Sequence, residues 1–115
     1  AIVQAALNVH LYPDPGGWKI REQLSRRYKL PEDAFILGNG ADSLISLISM
    51  TFLNPGDEVI FCEPTFPIYK SAMLISMGTP RTLPLDDAYR FDLDAMIDTM
   101  TSKTKLVYLC NPNNP

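Results

Sequence analysis

One stretch of the sequence decides the fold, and it reads Phe35-Ile36-Leu37-Gly38-Asn39-Gly40-Ala41-Asp42-Ser43-Leu44. A short apolar run ends there in two closely spaced glycines. A helical pattern starts at once, with apolar residues on one side at positions 44, 45, 48 and 52. A strand that enters a helix through such a turn leaves backbone N–H groups free where the helix dipole adds positive potential. The stretch therefore predicts a strand at 35–38 and a helix that ends near Leu53, with a place for a phosphate or carboxylate between them. An ordinary tight strand–helix connection has the same pattern, and the spacing matches neither the Walker A nor the dinucleotide motif.

Helical and strand patterns alternate along the rest of the chain. The predicted helices are 18–29, 68–77 and a short one with apolar residues at 93, 96, 97 and 100. The predicted strands are 58–63, 81–85 and 105–110. In the helix at 18–29, we expect Ile20, Leu24 and Tyr28 to form the buried stripe. The continuous apolar centre of 58–63 suits a strand that is covered on both faces of a sheet.

Strands separated by helical crossovers imply an α/β fold, with a mostly parallel sheet and helices on both faces. Ligands of such sheets bind beyond the carboxyl ends of the strands. Polar clusters follow three of the predicted strands, at 38–43, 63–67 and 111–115. The pattern therefore predicts a binding site at that edge of the sheet without naming its ligand.

Composition excludes several classes of partner. The 115 residues carry a net charge of −3 and the pI is about 4.9, so no basic field exists to attract nucleic acid or anionic lipid. No apolar run approaches the ~20 residues of a membrane helix, and no signal peptide is visible. Cys62 and Cys110 each lie in a predicted strand, and we expect buried thiols of a cytoplasmic protein. The only histidine, His10, lies outside every motif, and no metal site is predicted.

Six motifs occur in one order along essentially the whole chain. They are Tyr12-Pro13-Asp14-Pro15, Ile36-Leu37-Gly38-Asn39-Gly40-Ala41-Asp42, Asn54-Pro55-Gly56-Asp57-Glu58-Val59, Glu63-Pro64-Thr65-Phe66-Pro67-Ile68-Tyr69, Phe91-Asp92-Leu93-Asp94 and Asn111-Pro112-Asn113-Asn114-Pro115. In this order they resemble the fold type I pyridoxal-phosphate-dependent aminotransferases, and among them the histidinol-phosphate aminotransferases. The resemblance implies that the chain is the front part of a large domain with three layers, α/β/α.

The resemblance also implies a set of cofactor-binding residues. In the family, the turn equivalent to Gly40, Ala41 and Asp42 gives backbone N–H groups to the phosphate of pyridoxal 5'-phosphate. Asp42 acts through its amide in this assignment, because its carboxylate would repel the phosphate. Phe66 takes the place of the aromatic residue that stacks on the pyridine ring. Asn114 matches the asparagine that hydrogen-bonds the phenolic oxygen of that ring and stabilises its anionic form.

Two tyrosines have implied roles as well. Tyr12 matches a tyrosine that reaches the phosphate of the neighbouring subunit's cofactor, which implies a homodimer with shared active sites. Tyr69 either lines the substrate pocket or packs in the core. Structural roles are also open for the others: Phe66 as a core residue, Asn114 as a turn cap and Tyr12 packed within its own loop.

No catalytic residue is expected within these residues. The resemblance places the Schiff-base lysine beyond residue 115, together with the aspartate of the pyridine nitrogen and the arginine of the substrate carboxylate. We therefore expect residues 1–115 to be a partial cofactor-binding domain of a longer protein. The N-terminal arm, the rest of the large domain and the small C-terminal domain would lie outside it. In this fold the strand at 35–38 lies apart from the other three strands.

The implied activity is transfer of an amino group between histidinol phosphate and 2-oxoglutarate in histidine biosynthesis. An aromatic or broad-specificity aminotransferase and a phosphothreonine decarboxylase-like enzyme of the same fold remain alternatives. From other classes, a non-catalytic scaffold, a truncated fragment and a simple nucleotide-binding domain also remain. The partners expected of the enzyme are a small amino donor and a 2-oxo acid.

Overall fold

The computed structural model describes residues 2–115, which form two compact units, one up to Leu37 and the other from Gly38 to Pro115. The first unit contains helices α1 (Ile2–Ala6) and α2 (Trp18–Tyr28) and a 3₁₀ turn (Glu32–Ala34). The second contains α3 (Gly40–Phe52), β1 (Glu58–Glu63), α4 (Ile68–Ile75), β2 (Thr79–Pro84), α5 (Leu93–Asp98) and β3 (Thr104–Tyr108). The order of elements after Gly38 is the one that the sequence predicts.

Helix α2 begins where the turn before it is held by a side chain. The Asp14 carboxylate accepts hydrogen bonds from the amides of Gly16 and Trp18, at 3.0 and 2.9 Å. The predicted buried stripe of this helix is wrong, because Ile20 and Tyr28 are both 57% exposed and no residue of α2 is buried. This unit consists of short helical segments, which leave little surface with which to cover an apolar face.

The predicted strand at 35–38 is also wrong. Phe35 has extended backbone angles, with φ −113° and ψ 128°, but 35–38 is not part of a ladder among the described residues. A strand is defined by hydrogen bonds to a neighbour, and an apolar run without one remains an extended segment. The apolar pattern was therefore insufficient to predict strand pairing.

The unit from Gly38 onward is built on a parallel sheet with the strand order β2-β1-β3. Strand β1 pairs in parallel with β2 from Glu58–Thr79 to Glu63–Pro84, and with β3 as far as Phe61–Tyr108. The expected fold class, an α/β arrangement with helices on both faces of a parallel sheet, is confirmed. Strand β1, the central strand, is buried along nearly its whole length, as its apolar run predicts.

Alternate residues of β1 supply the two halves of the core. Val59 and Phe61 pack on one side with α4, and Ile60 and Cys62 pack on the other with Met96 of α5. All four β1 residues are at most 2% exposed. The sheet is therefore the middle of three layers, and its carboxyl edge is the place where the loops after β1 and β3 meet.

The buried face of α3 differs from the predicted one. Ile48 and Phe52 are 38% and 59% exposed, whereas Ser49 is fully buried and Ile45 packs against the core. The Ser49 hydroxyl is hydrogen-bonded to the Tyr108 hydroxyl at 2.9 Å, which satisfies a polar group on the inner face. The two partners lie 59 residues apart in the sequence.

The cysteine assignments are correct for one residue. Cys62 is a buried thiol in β1. Cys110 lies beyond the end of β3 and is half-buried, which corrects the prediction that it belongs to a strand. The ladder with β1 stops at Tyr108, so the chain leaves the sheet before the second thiol.

One buried carboxylate links the amino ends of the strands. Glu58 is 8% exposed and accepts hydrogen bonds from Thr101 Oγ1 at 2.6 Å and from the Arg81 guanidinium at 3.0 Å. The Thr101 hydroxyl, and then Arg81, hold the pKa of Glu58 below its ordinary value of 4.5. The ionised carboxylate is therefore the form that stabilises the folded chain.

Replacement Glu58→Gln should lower the midpoint of urea unfolding at pH 7. The folded-state pKa is depressed, so this contribution is present above about pH 4.5 and is lost as the pH falls through the folded pKa. The difference between variant and parent should therefore shrink at acid pH. Glu63→Gln is the matched control, because its ion pair with Lys70 is long, at 3.4 Å, and exposed. Equal losses for the two variants at pH 7 would contradict the prediction.

Candidate functional site

Two of the predicted polar clusters are joined at the carboxyl edge of the sheet. The segments 63–67 and 111–115 follow β1 and β3, which are parallel neighbours. Asn113 Nδ2 donates to the Pro64 carbonyl at 3.0 Å, and the Thr65 hydroxyl donates to Asn113 Oδ1 at 3.0 Å. Asn113 Nδ2 also donates to the Pro115 carbonyl at 3.0 Å. Asn113 therefore links the segment that carries Phe66 to the segment that carries Asn114.

The start of α3 lies toward the same edge. Tyr108, the last residue of β3, contacts Ser49 through its hydroxyl and also donates to the Ile45 carbonyl, at 3.4 Å. Ile45 is one turn nearer the helix start than Ser49. The end of α3 leads directly into the amino end of β1, so the helix start, with the cluster at 38–43, is directed toward the carboxyl edge of the sheet.

The amides at the start of α3 have the features of an anion-binding turn. The Gly40 amide donates to the Gly38 carbonyl at 3.0 Å, and the N-cap residue Asn39 makes no side-chain hydrogen bond to the helix. Within residues 2–115, neither the Ala41 nor the Asp42 amide has a carbonyl or side-chain acceptor. The first N–H groups of a helix point along its axis, where a bound anion can accept from them.

The two glycines of the turn are needed for different reasons. Gly40 has φ +77°, and a Cβ built on it meets nothing within 4 Å. Its requirement is conformational, since L-residues with side chains rarely adopt this φ. A Cβ on Gly38 would lie 2.8 Å from two side-chain carbons of Leu44. Close packing on the helix excludes a side chain there, and both conditions favour glycine where the sequence has it.

Phe66 belongs to a column of aromatic rings. Its ring meets Tyr69 edge to face, with centroids 6.0 Å apart, and Tyr69 stacks on Tyr108 at 4.6 Å. Phe66 is half-buried and packs against the core, whereas Tyr69 is buried. Burial raises the pKa of Tyr69 to about 12. Tyr69 therefore has a packing position, whereas Phe66 and Tyr108 at the two ends of the column are half-buried.

Asn114 and Tyr12 are exposed. Asn114 lies in the segment that Asn113 anchors, and no hydrogen bond of its side chain is present among residues 2–115. Its amide is therefore available to a ligand. Tyr12 belongs to the unit up to Leu37 and is 90% exposed. The ligand contacts that the resemblance implies for both residues stay predictions.

A cavity of about 650 Å³ lies beside Phe66. Its walls come from the segment 63–67 and from β1 and α4, and they include Phe61, Lys70 and Leu74. Gly40, Ala41, Asp42 and Asn114 do not line it. This cavity is therefore distinct from the place where the free amides of α3 and the Asn114 side chain are presented.

Cys110 lies among polar groups at the same edge. Partial burial raises the pKa of its thiol, but the Tyr69 hydroxyl, the Asn114 amide, the Thr65 hydroxyl and the Phe66 amide outweigh that effect. The net result is a pKa below the ordinary value of 9.0. These hydrogen bonds favour the thiolate form of Cys110.

Three residues that organise the site were missed from the sequence. Asn113 stands among three asparagines of one short segment, and only the middle one bridges to Thr65. The pair Ser49 and Tyr108 gives no local signal, because its members are far apart in the chain. The one hint in the sequence is that the asparagines lie between prolines. Proline has no N–H group, so the carbonyls of this segment need donors from side chains.

Three kinds of ligand-binding group are present in this unit. The amides at the start of α3 can donate to an anion, the half-buried Phe66 ring can stack on another ring, and the exposed Asn114 carboxamide can form a hydrogen bond. No group of three or more histidine, cysteine or acidic side chains suited to a metal occurs in residues 2–115. No helix in the same residues has the length and apolar character to cross a membrane.

Comparison with known proteins gives a consistent result. A family model described as aminotransferase class I and II matches residues 2–115. Histidinol-phosphate aminotransferase 2 of Carboxydothermus hydrogenoformans is 42% identical over the whole chain, which covers 32% of that protein. The histidinol-phosphate aminotransferase of Moorella thermoacetica is 36% identical over the whole chain, which covers 30% of it.

A solved structure shows the same relation. It is the histidinol-phosphate aminotransferase of Sinorhizobium meliloti in complex with pyridoxal-5'-phosphate, at a TM-score of 0.86 and 28% identity. The match covers 99% of this chain and 31% of that one. The chain therefore spans about a third of the length of the proteins that it matches.

Proposed function

Because the chain belongs to the class I and II aminotransferases, we propose that the protein of which it is part binds pyridoxal 5'-phosphate and exchanges an amino group between histidinol phosphate and 2-oxoglutarate. The observation that carries this proposal is the linkage of the segments after β1 and β3 at one sheet edge, together with amides at the start of α3 that have no acceptor among the described residues. The choice of histidinol phosphate is supported by the names of relatives that are 34–42% identical to the chain.

The phosphate of the cofactor would be held at the start of α3. The Ala41 and Asp42 amides, which have no acceptor within the described residues, would donate to its oxygens. Gly40 would set their direction through its positive φ. A dianionic phosphate gains further from the positive end of the helix dipole, whereas the exposed Asp42 carboxylate would turn away to solvent.

The ring would be held by the two linked segments. Phe66 would stack on one face of the pyridine, and the Asn114 side chain would donate to the phenolic oxygen and favour its anionic form. When bound, pyridoxal phosphate supplies the electron sink of the amino-transfer chemistry. The described residues orient the ring and tune its charge. Tyr69 would support Phe66 from behind rather than contact the substrate, because it is buried in the aromatic column.

The remaining roles lie outside the described contacts. We propose that the catalytic lysine, the aspartate of the pyridine nitrogen and the substrate arginine come from beyond residue 115. Residues 1–115 are then part of the cofactor-binding domain. We further propose a cytoplasmic homodimer in which Tyr12 reaches the phosphate site of the partner subunit. The 90% exposure of Tyr12 supports that role, because a side chain free of its own unit can contact a second one.

The test is a substrate comparison with the full-length protein. With pyridoxal phosphate and 2-oxoglutarate present, glutamate formation from histidinol phosphate should exceed that from phenylalanine by at least about tenfold in kcat/KM. Release of carbon dioxide from phosphothreonine would favour the decarboxylase-like alternative. Equal rates with phenylalanine would favour a broad-specificity enzyme. Absence of a cofactor absorbance band and of turnover would favour a non-catalytic scaffold.

A further inference from the structure

Asn113 uses both N–H donors and the oxygen of its side chain to connect two segments. Its Nδ2 donates to the carbonyls of Pro64 and Pro115, and its Oδ1 accepts from the Thr65 hydroxyl, each at 3.0 Å. A carboxamide is the only neutral side-chain group that has two N–H donors and a carbonyl acceptor. An aspartate would place a charged oxygen against two carbonyls, and an alanine would leave three groups without this partner.

The backbone makes no such connection. No backbone hydrogen bond joins 63–67 to 111–115 in the described part of the chain. Prolines at 64, 67, 112 and 115 remove N–H groups from both segments. The distance between the two segments is therefore set by side-chain hydrogen bonds, and Asn113 bonds to both segments.

The bonded atoms lie next to both groups that the proposed function places on the ring. Thr65 immediately precedes Phe66, and Pro115 immediately follows Asn114. Asn113 does not itself occupy either ring-binding position. A change in its bonds would move the stacking ring and the carboxamide donor relative to each other.

We propose that Asn113 is a positioning residue that fixes the distance between Phe66 and Asn114 and so sets the charge state of the bound cofactor ring. This inference rests on the proposed function, since it needs the ring to lie between these two residues. It adds that the interloop hydrogen bonds, and not the two ring contacts alone, determine how strongly Asn114 stabilises the phenolic oxygen. The Thr65 hydroxyl, which donates to Asn113, has the same positioning role.

The experiment uses full-length protein loaded with pyridoxal phosphate. The pH at which the absorption band of the bound cofactor changes is measured for Asn113→Ala, Thr65→Val and Asn114→Ala. Asn111→Ala is the matched control, because it removes the same group from the same segment and Asn111 makes no side-chain hydrogen bond in residues 2–115. Cofactor affinity is measured by titration of the apoprotein.

Asn113→Ala should shift the pH midpoint in the same direction as Asn114→Ala, by a smaller amount. It should also weaken cofactor binding about three- to tenfold, as expected for loss of a neutral hydrogen-bond network. Thr65→Val removes one bond and should shift the midpoint less, which keeps the test valid if Asn113→Ala folds poorly. The Asn111→Ala midpoint should equal that of the parent.

Three results would overturn the inference. One is an unchanged midpoint in Asn113→Ala and Thr65→Val together with a large shift in Asn114→Ala, even if both variants melt earlier. Another is an equal shift in the Asn111→Ala control. The third is a parent protein without a cofactor band, which overturns the proposed function and this inference together and is thereby distinguished from the first two.

Discussion

Replacement Gly40→Ala should weaken the binding of pyridoxal phosphate to the full-length protein about 10- to 100-fold. The methyl group meets no neighbouring atom, so the effect comes from the backbone. An alanine at φ +77° is strained by about 1–2 kcal/mol. Relief of that strain would rotate the Ala41 and Asp42 amides away from the phosphate. Loss of one hydrogen bond to a charged group corresponds to about 1.5–3 kcal/mol, which gives the range above.

The chain offers a closely matched control in Gly56. This glycine has φ +85°, and a Cβ there also meets nothing within 4 Å. It lies in the turn between α3 and β1, at the opposite end of the helix from Gly40. Gly56→Ala should therefore carry the same conformational cost with unchanged cofactor affinity. Apoprotein titration by fluorescence separates the two variants, and an equal loss of affinity in both would refute a specific role for Gly40.

Replacement Phe61→Ala should destabilise the folded protein by about 3–5 kcal/mol. Phe61 is 1% exposed in the central strand and packs with Tyr69, Met73 and Leu53. Its removal leaves a cavity that a parallel strand, paired on both sides, cannot close by moving. Because ordinary domains are stable by about 5–15 kcal/mol, this is a large part of the total.

Phe91→Ala makes the same chemical change at a less buried position. Phe91 is half-buried and packs against the other core cluster. Its loss should be clearly smaller, as measured by urea unfolding with a common denaturant slope. A loss below about 1 kcal/mol for Phe61→Ala would contradict this prediction.

The sequence predicted those features of the fold that depend on local pattern. The apolar run of β1 indicated a central strand, and the start of α3 at paired glycines indicated free amides. The wrong predictions have one cause. Each required contact with another part of the fold, which a local sequence pattern does not reveal. The segment 35–38 needed a paired strand, and the stripe of α2 needed a surface to cover it.

In the candidate site too, local motifs were predicted and contacts between distant residues were not. Phe66 and Asn114 were identified through motif order, and the structure places them in linked segments. The connection itself, through Asn113, was not predicted, because three asparagines of similar sequence context differ only in where the fold directs them. The burial of Ser49 on the inner face of α3 could not be predicted either, because it depends on a hydrogen bond to the distant Tyr108.

The strand order has a consequence for how this site is assembled during synthesis. Strand β3 follows β2 in the described residues, yet it pairs with β1. The hydrogen bonds between Asn113 and the segment after β1 span 48 and 49 residues, so both partners must have left the ribosome before they form. A nascent chain that has completed only β1 and β2 holds Phe66 without its counterpart. The linkage of these two segments is therefore a long-range event in folding, and contacts of such sequence separation form slowly.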